Sequence, residues 1–211
     1  MSQKDRIRWD AAYADREPDR VPALPEVFSG HAEEFPASGS ALDVACGSGR
    51  AAVWLAQRGL TVYGVDVSAV AITQARATAA RYGVAERCHV EVADLDGGLP
   101  FGPQVDVVLC HRFRDPGLYP ALAARLRPGG LLAICVLSEV GAEAGRFRAT
   151  PGELEAAFAG LETLAAYEGD GEAWPRAVPG AGAPPAAGRP ARDLRAQRGR
   201  CGGGPIPGHP R

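Results

Sequence analysis

Short apolar strands alternate with helices from about residue 40 onward, and this alternation limits the possible folds more than any other feature. The pattern predicts strands over residues 41–45, 61–66, 88–92, 105–110, 131–137 and 161–167, and helices over residues 49–58, 68–82, 116–126 and 151–158. Strands separated by helices pair in parallel through crossover connections. We therefore expect an α/β fold with a doubly wound, mostly parallel sheet that binds a ligand at the carboxyl ends of its strands.

Composition divides the chain into three segments. Residues 1–39 are predicted to form one or two short helices, residues 40–174 the α/β domain, and residues 175–211 a tail. In the tail, 30 of 37 residues are Pro, Gly, Arg or Ala. Such a segment buries too little apolar surface to offset its conformational entropy, so we expect it to be disordered.

Two explanations of the tail remain open. A slip of the reading frame near Trp174 would give this composition in a GC-rich gene, and resequencing of the locus tests it. Alternatively, the tail is a basic interaction arm, because its seven Arg and one Asp give it a charge of +6. The rest of the chain carries −8, which gives no reason to expect binding to nucleic acid.

The sequence predicts a soluble setting. Apolar runs of about 18 residues do not occur, and the polar N-terminus does not resemble a secretory signal. The five cysteines form no CxxC pair, which argues against a zinc site or a disulfide framework. We expect a cytoplasmic monomer or homodimer that has no membrane partner and no metal site.

The centre of the predicted site is the segment Asp43-Val44-Ala45-Cys46-Gly47-Ser48-Gly49, between a strand and a helix. Its two glycines let the backbone turn sharply and approach a ligand without a clash from a Cβ atom. The residues from Gly47 onward also fit the dinucleotide-binding pattern G-x-G-x-x-G/A. Asp43 favours a different ligand, because a carboxylate at the mouth of the loop repels a pyrophosphate and attracts a cationic amino group.

This segment resembles motif I of the class I methyltransferases, which use S-adenosyl-L-methionine (SAM), a cofactor with an ammonium, a sulfonium and no phosphate. Further positions agree with that family in register: Asp66 ends the second strand, Asp94-Leu95 follows the third, and Leu126-Arg127-Pro128-Gly129-Gly130 precedes the fifth. The resemblance implies a Rossmann-like fold. It also implies a SAM site formed by Asp43, Ala45, Gly47, Gly49, Asp66, Val67, Asp94, Leu95 and Cys110.

The resemblance also implies individual roles in binding adenosine. The carboxylate of Asp66 can accept two hydrogen bonds from a ribose diol, a device that NAD and SAM proteins share. Asp94 would receive the adenine amino group, and the backbone N–H of the next residue would meet the ring. Each of these positions has an ordinary structural alternative, so the prediction depends on their occurring together.

The segment Cys110-His111-Arg112-Phe113-Arg114-Asp115 lies where such methyltransferases bind their substrates. His111 is a candidate base, because histidine titrates near neutrality and can take a proton from an acceptor. Arg112 or Arg114 could hold an anionic substrate. The alternatives are a structural role for His111 and a surface pair between Arg114 and Asp115.

Two further features concern the ends of the domain. Residues 147–164 resemble the TehB-like subgroup, small enzymes linked to tellurite resistance and small-molecule methylation, in which residues such as Trp9 and Tyr13 often belong to an N-terminal lid over SAM. Anchoring of the first helix in the core is the alternative. The family's sheet ends with an antiparallel seventh strand, inserted between the fifth and sixth. Residues 172–174 resemble its start, but Pro175 lacks a backbone donor, so we expect no proper final strand and exposed neighbouring edges.

The expected function is transfer of a methyl group from SAM to a small-molecule acceptor. One alternative is a degenerate SAM-binding protein without turnover, which the unusual tail suggests. The other is an NAD(P)-dependent oxidoreductase. Asp43 argues against the oxidoreductase, and so does the missing Tyr-x-x-x-Lys pair, since Lys4 is the only lysine.

Overall fold

The protein is described here by a computed structural model, which covers residues 3–16, 21–176 and 178–179. Two helices come first, α1 (Gln3–Ala14) and α2 (Glu26–Ser29). The alternating part consists of β1 (Ser40–Val44), α3 (Arg50–Gln57), β2 (Thr61–Asp66), α4 (Ala69–Arg81), β3 (Cys88–Val92), β4 (Val105–His111), α5 (Tyr119–Arg125) and β5 (Leu126–Ser138). It is followed by β6 (Arg148–Ala149), α6 (Glu153–Ala157), β7 (Ala165–Gly169), β8 (Glu172–Arg176) and β9 (Val178–Pro179).

The strands form one sheet in the order β3-β2-β1-β4-β5-β8-β7. The first five of these strands run parallel to one another. The predicted α/β fold with a mostly parallel sheet is therefore confirmed. The order reverses between β1 and β4, and in open α/β sheets this reversal opens a crevice at the carboxyl ends of the strands.

Apolar side chains cover both faces of the central strands, as the unbroken apolar runs in the sequence predict. One cluster includes Val53 and Leu55 of α3 and Ile72 of α4. The opposite cluster includes Leu122 of α5 and Leu154 of α6. In the described ranges, no helix is long and apolar enough to cross a membrane.

Strand β5 begins earlier than predicted. The expected turn at residues 127–130 lies inside the strand, where the pairing with β4 moves from Val105–Leu126 to Val107–Leu131. Gly129 has a φ of 78° in this irregular stretch, a conformation that glycine adopts at little cost. The turn residues are thus accommodated as an irregularity within the ladder.

The expectation that the final strand is missing is wrong. Strand β8 lies between β5 and β7 and is antiparallel to both. Strand β9 extends the antiparallel pairing along β5. The edges of β5 and β7 that were expected to be exposed are therefore both paired. The sheet also continues beyond residue 174, where the α/β domain was expected to end.

The physical reason is an irregularity in the pairing with β5 between Ala173 and Val178, the stretch that contains Pro175. Val136 lies opposite Ala173 and Leu132 lies opposite Val178, so the last strand holds one residue more than β5 between these pairs. A bulge is one of the few places in a sheet where a missing backbone donor is tolerated. Most of the tail lies outside the described residues, namely residue 177 and residues 180–211. Its expected disorder stays a prediction.

Candidate active site

The glycine loop connects β1 to α3 at the point where the strand order reverses. Ala45, Gly47 and Gly49 all have positive φ, at 54°, 55° and 78°. Gly49 caps the N-terminus of α3, and a Cβ atom there would lie 2.7 Å from the Cβ of Ala75 on α4. Gly49 therefore lets the two helices pack closely, and the loop before it is free to face the crevice.

Asp66, at the end of β2, holds this loop in place. Its Oδ2 accepts a hydrogen bond from the Gly47 N–H at 2.9 Å, and its Oδ1 accepts one from the Ser68 N–H at 2.9 Å. Burial raises the pKa of Asp66, whereas these backbone donors lower it. Each carboxylate oxygen keeps a second lone pair, so hydroxyl groups of a ligand can still bind to it.

Asp43 is a buried carboxyl group with an unsatisfied oxygen. Only 3% of the residue is exposed, and its Oδ2 has no hydrogen-bond partner. Burial, and next the charge of Asp66, raises the pKa of Asp43 from 3.8 to about 8. A cationic ligand group beside Asp43 would favour its ionised form and supply the missing partner.

Helix α1 covers the glycine loop. The carboxylate of Asp10 accepts hydrogen bonds from the Ser68 hydroxyl at 2.6 Å and the Val70 N–H at 3.3 Å. The side-chain amide of Gln74 donates to the backbone oxygen of Tyr13 at 2.8 Å. A Cβ atom on Gly47 would collide with the Tyr13 hydroxyl, so the helix lies directly over the loop.

These elements enclose a cavity of about 300 Å³. Trp9 and Tyr13 of α1 line it together with the loop and the ends of β1, β2 and β4. Its lining is Trp9, Tyr13, Arg16, Ala23, Pro25, Asp43, Ala45, Cys46, Gly47, Ser48, Arg50, Ala51, Asp66, Val67, Leu109, His111, Arg112 and Phe113. The volume lies at the lower end of the range of about 300–1,000 Å³ for small-molecule sites.

His111 and Arg112 form the side of the cavity at the end of β4. Burial, and next the neighbouring Arg112 charge, lowers the pKa of His111 from 6.5 to about 4, so the ring is neutral at pH 7. Arg112 has a φ of 59°, and its N–H donates to the Cys135 carbonyl at 2.7 Å. Its guanidinium pairs with Glu172 of β8, with 3.0 Å between Nη2 and Oε1.

Seven of the predicted site residues lie together around the cavity: Asp43, Ala45, Gly47, Asp66, Val67, His111 and Arg112. The other four are placed elsewhere. Gly49 packs against α4, and Cys110 and Leu95 are buried in the core. Asp94 is exposed and accepts a hydrogen bond from the Asp96 N–H at 3.1 Å. Their roles toward a cofactor stay predictions.

The predicted surface pair between Arg114 and Asp115 is wrong. Arg114 donates two hydrogen bonds to Glu153 of α6, at 2.7 Å from Nε and 2.5 Å from Nη2. Asp115 instead accepts a hydrogen bond from the Gly117 N–H at 2.9 Å. The bidentate geometry with Glu153 outweighs sequence adjacency, and it occupies Arg114 with a structural partner.

Two contacts that shape the site were not predicted from the sequence. Arg112 meets Glu172 across 60 positions, and Asp10 meets Ser68 across 58. No local pattern encodes contacts over such separations. In the described ranges, no group of His, Cys, Asp or Glu could hold a metal ion.

Comparison with known proteins agrees with this geometry. Residues 41–130 match the model of a methyltransferase domain family. Ribosomal RNA small subunit methyltransferase C of Alcanivorax borkumensis is 35% identical over 146 residues, which is 63% of this chain and 42% of that protein. The chain spans less than half the length of the curated relatives that it matches.

Many solved structures share the fold. TehB from Haemophilus influenzae superimposes with a TM-score of 0.62 at 16% identity, covering 81% of this chain and 65% of that one. Magnesium protoporphyrin IX methyltransferase from Synechocystis, with bound S-adenosylhomocysteine (SAH), superimposes with a TM-score of 0.60 at 16% identity. The superposition covers 83% of this chain and 94% of that one. Such identities show the fold alone, so placement in the TehB-like subgroup stays a prediction. Residues 41–130, with this glycine loop and on this fold, are therefore similar to the methyltransferase domain family.

Proposed function

We propose that the chain transfers a methyl group from SAM to a small-molecule acceptor. The observation that carries the proposal is the pair of buried carboxyl groups, Asp43 and Asp66, on either side of a glycine loop at the strand-order reversal. Asp43 offers an unsatisfied oxygen to an ammonium group. Asp66 offers lone pairs to a ribose diol.

The fit to SAM rests on charge and shape. The unpartnered Oδ2 of Asp43 is suited to a cation, and a pyrophosphate at the same place would meet two carboxyl groups. The absence of a side chain at position 47 lets the Tyr13 hydroxyl approach the loop, so that α1 would cover a bound cofactor. When bound, SAM supplies an electrophilic methyl group on its sulfonium.

The chain's own contribution is binding and alignment. Asp43 and Asp66 would fix the two polar ends of the cofactor, and α1 would shield it from water through Trp9 and Tyr13. The acceptor would then enter beside His111 and Arg112. Alignment of an acceptor in line with the bond to be broken supplies a large share of the acceleration in such reactions.

The charge of the chain bears on the acceptor class. Ribosomal RNA is the acceptor named for one relative, but the charge of −8 outside the tail opposes binding to a polyanion. We therefore expect no nucleic-acid partner.

Calorimetric titration with SAH and with NADH tests the cofactor. The proposal requires binding of SAH that is lost in Asp66→Asn, and binding of NADH alone would support an oxidoreductase. A mass-spectrometric screen then incubates the full chain with SAM and pools of phenols, thiols, tellurite or ribosomal RNA. A product heavier by one methylene group supports the proposal, whereas SAH binding without turnover on any pool would identify a degenerate SAM-binding protein.

A further inference from the structure

Unsatisfied polar atoms cluster at the cavity. Among the described residues, the buried side-chain atoms without a hydrogen-bond partner are Asp43 Oδ2, His111 Nε2 and Arg112 Nε. All three belong to residues that line the cavity. An unpaired buried polar group is costly, so such atoms call for a functional explanation. The cofactor accounts for Asp43, and the pair His111 and Arg112 is left to the other reactant.

The backbone conformation of Arg112 also indicates that this residue has a functional role. Its φ of 59° is one of three positive φ values at described non-glycine residues, and Ala45 of the glycine loop is another. A left-handed conformation at a residue other than glycine is strained, and such residues cluster at functional sites. The Cys135 carbonyl holds the Arg112 N–H, and Glu172 holds its Nη2. The first contact fixes the backbone and the second fixes the end of the side chain, while Nε–H is left for a ligand.

We propose that His111 and Arg112 form the acceptor subsite and that the acceptor presents a neutral hydroxyl group to them. This inference rests on the proposed function. A hydroxyl oxygen has two lone pairs and one proton. It can accept a hydrogen bond from the Arg112 Nε–H and donate one to the lone pair of His111 Nε2.

The charges around the subsite favour a neutral group over a carboxylate. The positive charge of Arg112 is already balanced by Glu172. Asp43 and Asp66 line the same cavity and would repel a second anion. The other two cations of the lining, Arg16 and Arg50, are engaged with the Tyr13 ring and the Val21 carbonyl. The neutral state of His111 at pH 7 leaves its lone pair available to the hydroxyl proton.

The chemical step balances with SAM as the only co-reactant. The hydroxyl oxygen forms a bond to the methyl carbon, and the carbon–sulfur bond breaks with its electron pair going to sulfur. The hydroxyl proton passes to His111 Nε2 and then to solvent. The products are a methyl ether, SAH and a proton. Although His111 is a weak base, the acidity of the oxygen rises steeply as the new bond forms, so transfer late in the step suffices.

Three probes that share one ring and differ in one group test the inference. Phenol, benzenethiol and benzoate are each added to the full chain saturated with SAH, and binding is followed by saturation-transfer NMR. We expect binding of phenol and at least tenfold weaker binding of benzoate. Stronger binding of benzoate or benzenethiol than of phenol, or no binding of any probe, would overturn the inference. Failure of SAH itself to bind would instead count against the proposed function.

Substitutions identify the atoms involved. Arg112→Lys keeps a charge opposite Glu172 but removes Nε–H, and His111→Phe keeps a ring but removes Nε2. Both variants are expected to lose phenol binding at least tenfold and to retain SAH binding. Arg127→Gln, which removes an exposed ion pair with Asp106, is the control and should bind both. Unchanged phenol binding in the Arg112 and His111 variants would contradict the subsite, and SAH binding reports that each variant is folded.

Discussion

The guanidinium of Arg112 and the carboxylate of Glu172 form an ion pair, with 3.0 Å between Nη2 and Oε1, that joins the end of β4 to the first residue of β8. Both side chains are mostly buried, with 29% and 17% of their surface exposed. The acceptor side of the cavity is therefore tied to the final antiparallel strand. The cofactor side depends on β1 and β2, which are separate from that strand in the sheet order.

This ion pair predicts that Glu172→Gln weakens acceptor binding and leaves cofactor binding almost unchanged. Loss of a charged hydrogen-bond partner at a partly buried site should lower the free energy of unfolding by about 1–3 kcal/mol. The freed guanidinium should also reduce phenol binding, while the affinity for SAH changes little. Thermal unfolding and the two binding measurements test this, and an equal loss of SAH and phenol affinity would show that the two sides are not separate. Arg127→Gln, at an exposed pair, should cost about 0–1 kcal/mol.

A second prediction concerns Tyr13 and Gly47. Gly47→Ala places a methyl group against the Tyr13 hydroxyl and forces an alanine into a φ of 55°. We expect the affinity for SAH to fall at least tenfold. Removal of the hydroxyl in Tyr13→Phe should restore part of it, because the ring carbon Cζ lies farther away, at 3.2 Å from the ideal Cβ. Calorimetric titration of the two single variants and the double variant measures the coupling.

Gly83→Ala is the matched control for this cycle. Gly83 also has a positive φ, 70°, but a Cβ atom there would meet nothing within 4 Å. The control should therefore show only the conformational cost, about 1 kcal/mol in stability, and no change in SAH binding. If the Tyr13 substitution restored nothing to Gly47→Ala, α1 would not lie over the loop as described.

A third prediction tests the position of β8. Ala173 is 4% exposed and lies opposite Val136 in the middle of the sheet. Ala173→Asp would bury a carboxylate without a partner, and we expect a loss of about 3 kcal/mol or more in the free energy of unfolding. The same substitution at the exposed Ala156 of α6 is the control and should cost much less. Equal unfolding midpoints for the two variants would place residue 173 outside the core.

The parallel sheet could be predicted because the residue pattern that specifies each of its strands lies within a short stretch of the sequence. Strands β2 and β3 have the bounds that the apolar runs predicted. Turn residues mark the ends of both runs, and an amphipathic helix separates one run from the other. The glycine loop was predictable for the same reason. Its special conformations require glycine at positions 47 and 49, and the requirement is visible in the sequence.

The final strand was not predictable, because its formation depends on tertiary pairing. A proline at position 175 argues against a regular central strand, but the bulge that accommodates it exists only once β5 and β7 are in place. The pairing of Arg112 with Glu172 depends on that strand in turn. The same holds for Arg114, whose bidentate contact with Glu153 becomes possible only when α6 packs beside the end of β4.

The last prediction concerns the protonation of Asp43. Its pKa is raised to about 8 by burial and by Asp66, so the group is mostly protonated in the free protein at pH 7. Because the pKa is higher in the folded than in the unfolded state, its contribution to stability is full below about 4 and is lost as the pH rises toward 8. The ammonium group of SAH should reverse this by favouring the carboxylate, so that ligand binding releases a proton.

We therefore expect the affinity for SAH to rise between pH 6 and pH 8, by up to about tenfold per pH unit well below the pKa, and to level off above it. Titrations in two buffers of different ionisation enthalpy measure the released proton. Asp43→Asn should bind SAH weakly and release no proton, and its stability should decline less than that of the unchanged chain between pH 5 and pH 8. The pKa values of His111, about 4, and Glu153, about 2, place their titrations below the pH 6–8 window, so they do not produce this signal. A flat affinity from pH 6 to pH 8, without proton release, would mean that Asp43 is already ionised before the ligand arrives.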